Sequence, residues 1–467
     1  MLKTILFDQL TPVALYEELK TIFPNEVTML FESVVNNSEG NFSFIAIGAK
    51  ERLTYKDGKT SYVNNNGIAK HIDEDPFAFL KAYYSSIDKK HYQSLSNKAG
   101  FSFVDGFIGF IGYDMVKVFE PVLSKSMDNL IDTLNTPDLD LIRPKIIIGY
   151  SHKNATLTII QNDGSLGNAV EHIEALLQRP HSPARLQKAV LQEGGLNINE
   201  ERFKSLIEQS KEHIRAGDIF QILISNRYTQ YGQVDPISFY RLLRSKNPSP
   251  YLFLLEYEDF AICGSSPEVM IRLNDGNILL RPIAGTRKRG KNSQRDKELE
   301  LEMLSDPKEC AEHLMLIDLG RNDVGRIAKT GSVKVTDMMR VEKYSHVMHM
   351  VSDVEAILRD DKDMFDLFAA TFTAGTMTGA PKIKAMELIA HFEGLKRGFY
   401  SGCVGYFAFN GNMDSAIAIR TALIQPDKIT LQAGAGVVAD SKPELEFLEV
   451  NNKLGALVST LQELEKV

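Results

Sequence analysis

Hydrophobic positions along the chain recur with two different spacings, which predict strands in some segments and helices in others. Short apolar or alternating runs of strand length occur in KIIIGY and ATLTIIQ, and later in YLFLLEYEDFAICG, NILLRPIAGT, GCVGYFAFNGNMDSAIAIRTALI and KITLQAGAG. Several of the later runs are consecutive and joined by turns such as FNGNMD, which favours antiparallel hairpins over βαβ units. The chain is therefore predicted to be an α+β protein with large antiparallel β-sheets flanked by helices.

A helix with a defined start opens the second part of the chain. Asn199 is suited to cap it, the apolar residues that follow keep the helical period, and Gly217 is suited to end it. The preceding stretch, QRPHSPARLQKAVLQEGGLNINEERF, contains prolines and a glycine pair and shows no clear periodicity. It predicts a boundary between an N-terminal region, residues 1–180, and a C-terminal region, residues 195–467.

The composition narrows the possible classes of function. The 467 residues carry a formal net charge of −8, which argues against a nucleic-acid-binding protein because such proteins usually present a basic face. No run approaches 18 apolar residues, so no membrane span is predicted, and MLKTILFDQL is a poor signal peptide. Three scattered cysteines are too few for a disulfide framework or a zinc site. These features predict a cytoplasmic location.

Two predicted helices each carry a pair of glutamates three residues apart. The pairs are Glu309 with Glu312, in SDPKECAEHLMLIDLGRND, and Glu446 with Glu449, in DSKPELEFLEVNNK. Spacing of three places both carboxylates on one helix face, where like charges repel unless a cation offsets them. Magnesium suits this role because it prefers a few carboxylates together with water and a substrate anion. A solvated helix face is the alternative for either pair taken alone.

Capping offers a second interpretation of part of this pattern. Asp306 and Ser441 are each suited to the N-cap of the helix that follows, and Glu309 falls where a capping-box glutamate belongs. In KYSHVMHM, the two histidines His346 and His349 are interpreted first as core residues. The segment TFTAGTMTGAPKIKAMELI places a Gly/Thr loop before a helix, as an anion site or as an ordinary junction.

A glycine-rich segment and a lone arginine are further candidates for ligand binding. QAGAGVVAD has the spacing G-x-G-x-x-A at Gly434, Gly436 and Ala439, but the next helix starts too late for a dinucleotide fingerprint. A turn whose amides meet a carboxylate is one interpretation, and a tight turn without a ligand is the other. Arg420, in AIAIRTALI, alternates with apolar residues on a predicted central strand, where a buried charge needs a partner.

These motifs together resemble the chorismate-utilising enzyme family, and within it the large subunits, component I, of anthranilate synthases. The resemblance is densest from about Asp218 to Lys453, and LFES, Leu30 to Ser33, is similar to an LLES element of the same subunits. The motifs in order are GDIFQILIS, NPSPYLF, GSSPE, PIAGTR, ECAEHLMLIDLGRND, YSHVMH, TAGTMTGAPK, YSGCVGYF, AIAIRTA, AGAGVVADS and E-x-x-N-K. The resemblance implies a β-sandwich core with outer helices.

The resemblance also implies roles for the matching positions. Glu268 would be the general acid that helps the C4 hydroxyl of chorismate depart, and His346 would take part in the elimination. Magnesium would be held by Glu312 and Glu449 as the central pair, with Glu309 and Glu446 beside them. The other implied site residues are Gln221 and Thr286 at the reacting centre, Gly285 and Thr286 along the ring, and Tyr400, Arg420, Gly434, Ala435 and Gly436 at the substrate carboxylates.

Two positions discriminate between reactions within the family. Relatives that add water to chorismate have a lysine general base where this chain has Gln221, and glutamine cannot accept a proton. Aminodeoxychorismate synthases carry a lysine in PIKGT that can attack the ring, whereas this chain has Ala284 in PIAGT. The resemblance therefore favours amination at C2 by ammonia and loss of pyruvate, the carbon–oxygen lyase reaction that gives anthranilate in tryptophan biosynthesis.

A partner and a regulator are implied as well. The chain shows no glutaminase nucleophile motif, and Cys403 is better interpreted as a small buried residue, so ammonia would come from a separate glutamine amidotransferase subunit in a hetero-oligomer such as a heterotetramer. Ser33 with Pro250, Tyr251 and Leu252 matches the site where tryptophan exerts feedback inhibition. The alternatives are an aminodeoxychorismate synthase, an isochorismate or salicylate synthase, and a non-catalytic tryptophan sensor.

Overall fold

The computed structural model describes residues 1–32, 42–344 and 347–467, and for Thr286 it describes the backbone only. The strands are β1 (Leu2–Leu6), β2 (Thr28–Glu32), β3 (Phe42–Lys56), β4 (Lys59–Val63), β5 (Ala69–Ile72), β6 (Gly106–Ile111), β7 (Leu139–Ser151), β8 (Thr156–Gln161), β9 (Val190–Leu196), β10 (Gln221–Gln233), β11 (Tyr251–Glu256), β12 (Ala261–Ser266), β13 (Val269–Asn274), β14 (Asn277–Leu280), β15 (Ile283–Lys288), β16 (Lys334–Lys343), β17 (Val347–Ile357), β18 (Gly379–Ala380), β19 (Cys403–Ala408), β20 (Met413–Ile417), β21 (Thr421–Ile424) and β22 (Lys428–Val437).

The helices surround these strands. They are α1 (Pro12–Ile22), α2 (Pro76–Ser85), α3 (Lys89–Ala99), α4 (Val116–Phe119), α5 (Ser124–Met127), α6 (Ala169–Leu177), α7 (Glu200–Arg215), α8 (Pro236–Lys246), α9 (Ser293–Ser305), α10 (Pro307–Gly325), α11 (Met364–Thr371), α12 (Lys382–Glu393) and α13 (Pro443–Leu464). Three short 3₁₀ helices are Tyr113–Met115, Pro121–Leu123 and Gly375–Met377. Within the described ranges, every helix is too short or too polar to span a lipid bilayer.

The strands form two antiparallel sheets that share β3 and β7. The first sheet has the order β1-β8-β7-β3-β2-β11-β12-β21-β22-β10-β9. The second has the order β5-β4-β3-β7-β6-β19-β20-β13-β14-β17, with β15 and β16 also paired to β17. The long strands β3 and β7 pass from one sheet into the other, and their register shifts between Ala49 and Glu51. The predicted α+β fold with antiparallel sheets is confirmed.

Strand β11 shows why the first sheet is apolar on both faces. Its alternate residues Leu252 and Leu254 belong to a core with helices α1, α6, α7, α8 and α13, whereas Phe253 and Leu255 belong to a core shared with the second sheet. Because successive side chains of a strand point to opposite faces, a sheet covered on both faces needs a continuous apolar run. The sequence YLFLLE supplies such a run.

The N-terminal region contributes strands to both sheets. Strand β2 pairs with β11, and β6 pairs with β19, so strands from before residue 180 continue directly into strands from after it in both sheets. The division into 1–180 and 195–467 stays a prediction. The stretch without periodicity contains β9, which is exposed over most of its length and pairs with β10. An exposed strand has no apolar face, which explains why its sequence gives no periodic signal.

The sequence predicts the N-cap residues of two helices correctly and that of a third incorrectly. Asn199 and Asp306 cap α7 and α10, each accepting a backbone N–H at 2.9 Å. The prediction that Ser441 caps α13 is wrong, because that helix begins at Pro443 with Lys442 in the N-cap position. The Ser441 hydroxyl lies one residue too early and instead accepts from the Val438 N–H at 3.1 Å.

Two adjacent leucines of β11 test whether the first sheet is buried on both faces. We expect Leu254→Ala and Leu255→Ala each to lower the free energy of unfolding by about 2–5 kcal/mol, because each removes a fully buried side chain from a different core. Urea unfolding followed by circular dichroism measures the change. Leu301→Ala, at a side chain that is 65% exposed, is the control and should stay within about 0.5 kcal/mol of the parent. A near-neutral result for either β11 variant would contradict two-sided burial.

Candidate active site

The candidate site lies where the chain crosses between the two sheets. One crossing joins β12 to β13 and contains Glu268, and another joins β20 to β21 and contains Arg420. The crossings run side by side, since the Ser265 N–H donates to the Arg420 carbonyl at 3.2 Å and the Ile417 N–H donates to the Glu268 carbonyl at 3.0 Å. The pairing of β12 with β21 and of β13 with β20 thus brings Glu268 and Arg420 together.

Glu268 is a buried acid whose charged form is disfavoured. Its side chain is only 7% exposed, and burial raises its pKa to about 7, against the opposing effects of Thr376, Lys453 and Arg420. The Thr376 hydroxyl donates to Oε1 at 2.8 Å. A carboxylic acid with a pKa near neutrality can hold a proton and release it, as a general acid must.

Arg420 departs from the predicted position on a central strand. It lies between β20 and β21 with φ at 50°, in the left-handed region that non-glycine residues rarely adopt. Its guanidinium makes no direct hydrogen bond or ion pair with a side chain in the described part of the chain, and burial lowers its pKa. A buried cation of this kind is available for an anionic ligand.

The glycine-rich segment is a strand, and the predicted turn is wrong. Gly434, Ala435 and Gly436 lie within β22, which pairs with β10 so that Leu223 faces Gly436 and Ser225 faces Gly434. Glycine is uncommon inside strands, but the absence of a side chain at these positions leaves room for close neighbours. The Tyr400 hydroxyl lies 3.0 Å from where a Cβ on Gly434 would stand.

The edges of β22 differ in their hydrogen bonding. The Gly434 carbonyl accepts from Lys453 Nζ at 2.8 Å, so it faces away from β10. In an antiparallel strand the N–H and C=O of one residue face the same side, and residues two apart share that side. The N–H groups of Gly434 and Gly436 therefore face the edge away from β10, whereas the N–H of Ala435 faces β10. Strand β21 pairs with that edge only as far as Leu431, so it does not pair with Gly434 and Gly436.

Gln221 and Tyr400 complete this side of the site. Gln221 is 5% exposed, and its Nε2 lies 2.8 Å from where a Cβ on Gly436 would stand. Tyr400 is 2% exposed, and burial raises the pKa of its hydroxyl, which is therefore protonated. The structure thus brings both residues to the glycine strand, as the resemblance implies.

The four glutamates lie on α10 and α13, and each pair starts close to its helix N-terminus. Burial and the neighbouring Glu449 carboxylate raise the pKa of Glu312, and burial is also the main cause of the raised pKa of Glu446. Glu449 pairs with Lys453 at 2.7 Å, and Glu309 Oε1 pairs with Arg287 Nη1 at 2.5 Å. Carboxylates of the two helices therefore repel one another across the gap between them.

Parts of this cluster fit a cation. Glu309 Oε2 is buried with no hydrogen-bond partner among the described residues, although Oε1 of the same carboxylate pairs with Arg287. In the described ranges, no group of three or more His, Cys, Asp or Glu side chains converges closely enough to hold a metal by itself. Magnesium commonly takes one or two carboxylates and completes its shell with water and a substrate anion. The pair Glu312 and Glu449 fits that pattern, with Glu309 and Glu446 beside it.

The segment around Gly285 closes the opposite wall. Gly285 has φ at 60°, and a Cβ there would lie 2.7 Å from Glu309 Oε2, so both backbone and space require glycine. Its carbonyl accepts from His349 Nδ1 at 3.1 Å, and burial lowers the pKa of His349 to about 4, so the ring is neutral. Ala284 is buried in β15 opposite Met350. His346 and the Thr286 side chain lie outside the described residues.

A second cavity, of about 320 Å³, lies between the two sheets. Pro250, Tyr251 and Leu252 line it together with Phe31 and Glu32, and Ser33 lies outside the described residues. Other lining side chains are aromatic or charged: Phe44, Phe101, Tyr406, Arg272, Glu342 and Asp414. Pro267 and Val269, which flank Glu268, also line this cavity, so its wall adjoins the candidate active site.

Two contact residues of the site have no role in the sequence interpretation. Lys453 belongs to the quoted E-x-x-N-K motif and follows Glu449 by four residues, so the i, i+4 rule for one helix face gives a signal for it. Thr376 lies among several threonines of TFTAGTMTGAPK, and its sequence does not distinguish it from the others. Only its hydrogen bond to Glu268 does.

Known proteins resemble this chain over nearly its whole length. A family model described as chorismate binding enzyme matches residues 26–459. The chain is 41% identical to the anthranilate synthase component 1 of Acinetobacter calcoaceticus, over 98% of this chain and 94% of that protein. It is 38% identical to the protein of the same name from Aquifex aeolicus, over 99% of this chain and 94% of the relative.

Solved structures give the same result. The crystal structure of anthranilate synthase component I from Streptococcus pneumoniae has a TM-score of 0.79 and 34% identity, covering 91% of this chain and 94% of that chain. A menaquinone-specific isochorismate synthase from Escherichia coli, at 18% identity and a TM-score of 0.73, covers 99% and 94% and shares the fold. The resemblance to component I subunits is confirmed, and the chain belongs to the chorismate-binding enzyme family and is an enzyme of that family.

Proposed function

We propose that this protein is the large subunit of an anthranilate synthase, which converts chorismate and ammonia into anthranilate, pyruvate and water. The observation that carries the proposal is Glu268, a buried acid with a pKa of about 7, held beside the buried cation Arg420. An acid able to protonate a leaving hydroxyl next to a site for a carboxylate suits this reaction. Relatives at 41% and 38% identity carry the name of the same enzyme.

Chorismate has two carboxylates, and the site offers separate groups for them. Arg420 and the Gly434 and Gly436 amides at the free edge of β22 can bind one carboxylate through charge and hydrogen bonds. Tyr400 lies beside that edge and can donate to the same group. Binding an anion in a chain of net charge −8 requires such local donors, because the overall field opposes it.

The second carboxylate is proposed to bind near the glutamate pairs with magnesium. Glu312 and Glu449 would hold the ion, with Glu309 and Glu446 close to its shell. When bound, magnesium supplies positive charge that neutralises the helix carboxylates and the substrate carboxylate together. The unpartnered buried Oε2 of Glu309 and the raised pKa values of Glu312 and Glu446 support cation binding at this place.

The reaction needs one proton at the leaving oxygen. Ammonia forms the new C–N bond at C2 while the C4–O bond breaks, and Glu268 gives its proton to the oxygen, which leaves as water. The added nitrogen loses a proton to solvent. The C3–O bond of the enolpyruvyl ether then breaks as the C2 proton leaves, which makes the ring aromatic, and the enolpyruvate takes up a proton and is released as pyruvate. Ala284 has no group that could attack the ring, and Gln221 cannot take a proton from water, which favours ammonia as the nucleophile.

Ammonia is proposed to come from a glutamine amidotransferase subunit. The relatives are named component 1, a name that implies a second component. We propose the same partner for this chain, in a hetero-oligomer such as a heterotetramer.

Tryptophan is proposed to bind in the cavity between the sheets and to inhibit the enzyme. The cavity of about 320 Å³ has an aromatic wall suited to an indole ring and carries carboxylates suited to an ammonium group. Pro250, Tyr251 and Leu252 line it, and Pro267 and Val269 connect it to Glu268. Occupancy of the cavity can thus affect the acid through its two neighbours in sequence.

The overall proposal is tested with the purified chain, chorismate, magnesium and excess ammonium salt at mildly alkaline pH. We expect anthranilate fluorescence to appear without a partner subunit and to disappear with EDTA, because the metal is required. Glutamine in place of ammonium should give no product until an amidotransferase subunit is added. Chorismate consumption without fluorescence would indicate another chorismate product, and untouched chorismate would overturn the proposal.

The general acid is tested by Glu268→Gln. The amide keeps the shape of the side chain and carries no acidic proton, so we expect the rate to fall by roughly 10²–10⁴-fold. In the parent enzyme, kcat/KM at constant free ammonia should fall as pH rises above about 7, because Glu268 then loses its proton. Steady-state assays from pH 6 to 9 give the profile. The exposed Glu74→Gln serves as the control and should behave like the parent.

The regulatory cavity is tested by two prolines of one motif. Pro250 lines the cavity and Pro248 does not, so Pro250→Ala should raise the half-inhibitory tryptophan concentration at least fivefold, about 1 kcal/mol, and Pro248→Ala should leave it nearly unchanged. Inhibition curves at fixed chorismate provide the measurement. Equal effects of both variants, or no inhibition of the parent by tryptophan, would place the regulator elsewhere.

A further inference from the structure

Arg397 is a fully satisfied buried arginine close to the candidate active site. It is 1% exposed, and each of its five N–H donors has an acceptor. Nε and Nη2 donate to Glu393 at 2.8 and 2.7 Å, Nη2 also donates to the Leu223 carbonyl at 3.0 Å, and Nη1 donates to the Met377 carbonyl at 2.8 Å and to the Ser401 hydroxyl at 3.4 Å. The side chain therefore joins segments that are far apart in sequence.

The first segment that Arg397 contacts is the one whose threonine, Thr376, is hydrogen-bonded to Glu268. Met377 belongs to the 3₁₀ helix Gly375–Met377 and directly follows Thr376, whose hydroxyl donates to Glu268. The guanidinium bond to the Met377 carbonyl fixes this short helix at the residue next to Thr376. The position of the Thr376 hydroxyl, and so its contact with the acid, depends on that bond.

The second joined segment is β10, which backs the glycine strand. Leu223 and Ser225 present their outward backbone groups to the ion pair. The Leu223 carbonyl accepts from Arg397 Nη2, and the Ser225 N–H and hydroxyl donate to Glu393 Oε1 at 2.9 and 2.8 Å. These residues face Gly436 and Gly434 in the ladder. The ion pair thus fixes β10 at the two positions opposite the free glycine amides.

The third joined element is Tyr400. The Arg397 guanidinium carbon lies 5.7 Å from the centre of the Tyr400 ring and 4.8 Å from that of Tyr113. A cation above an aromatic face is attracted by the quadrupole of the ring, most strongly when the cation and the ring are both desolvated. The Tyr113 N–H donates to the Gly398 carbonyl at 2.8 Å, so the N-terminal region supports the same turn.

We propose that Arg397 is a positioning residue for the reaction at this site, because one guanidinium holds the Thr376 contact to Glu268, the β10 backing of the glycine edge, and Tyr400 in a single geometry. Its five donors are all engaged by protein acceptors, so none is left for substrate. This inference rests on the proposed function, which defines the reaction that Arg397 serves. The three contacts themselves are the same whichever product is formed.

The test replaces the buried pair without leaving a lone charge. Glu393→Gln with Arg397→Met removes both charges and keeps an acceptor for Ser225, since breaking only one partner of a buried pair is strongly destabilising. Arg52→Met with Asp140→Asn is the matched control, because Arg52 donates to buried Asp140 at 2.8 and 2.7 Å on β3 and β7, away from the site. Arg397→Lys, which keeps the charge with three donors, is the second variant if the first does not fold.

Three readouts separate positioning from simple stability. Relative to the control, we expect kcat/KM for chorismate consumption to fall by about a hundredfold at a comparable Tm. The basic limb of the pH profile should move upward, since a weaker Thr376 bond stabilises the charged form of Glu268 less. Amide hydrogen exchange should become faster at residues 375–378 and 398–402.

The outcomes also distinguish this proposal from the proposed function. A variant with control-like kcat/KM, an unshifted basic limb and unchanged exchange overturns the positioning role. If the parent consumes chorismate but gives another product, the proposed function fails while the same three readouts still decide the role of Arg397. If the parent does not turn over chorismate, hydrogen exchange alone decides it, with faster exchange in support and unchanged exchange against.

Discussion

The register of the ladder between β10 and β22 is the constraint on which the site depends. Because Leu223 and Ser225 face Gly436 and Gly434 as pairs without mutual hydrogen bonds, their own backbone groups turn towards Thr378, Arg397 and Glu393, and the glycine amides turn to the free edge. A shift by one residue would reverse both sets at once. The same pairing therefore supplies both the free edge proposed to bind an anion and the anchor of Thr376 beside Glu268.

The charges of the site are arranged so that neither sign dominates. The chain is acidic, and α10 and α13 carry four glutamates, yet the charged groups that act on Glu268 are the cations Lys453 and Arg420. Lys453 also pairs with Glu449, which places it between the acid and the glutamate pairs. The binding site is thus divided into a cationic half and an anionic half, and an anionic substrate with a divalent cation would satisfy both.

Local rules in the sequence predict some of these features and not others. The helix caps at Asn199 and Asp306, the glutamate pairs and the antiparallel hairpins depend on neighbours within a few residues, and the structure contains them. The placement of Arg420 outside a strand does not follow from such rules, because it depends on where the chain leaves one sheet for the other.

The contacts made across the sequence are also missed. Thr376 and Glu268 are more than a hundred residues apart in the sequence, yet their side chains are hydrogen-bonded. Arg397 contacts both Met377 and the much more distant Leu223. Neither has a periodic or spacing signal, since each contact depends on the tertiary arrangement. The exposed strand β9 was missed for the opposite reason, because it has no apolar face to form a pattern. The roles proposed for Glu268 and Arg420 came from the resemblance to a family, whereas composition and periodicity alone left several interpretations open.

The position of α13 in the order of synthesis has a consequence for the nascent protein. Helix α13 carries Glu446, Glu449 and Lys453 and packs on β22, α7 and α8, all of which are made earlier. Domains form from the N-terminus as the ribosome elongates the chain. A chain that already contains Glu268 and Arg420 therefore still lacks Lys453 and the second glutamate pair, so the candidate site is assembled only after α13 has emerged and docked.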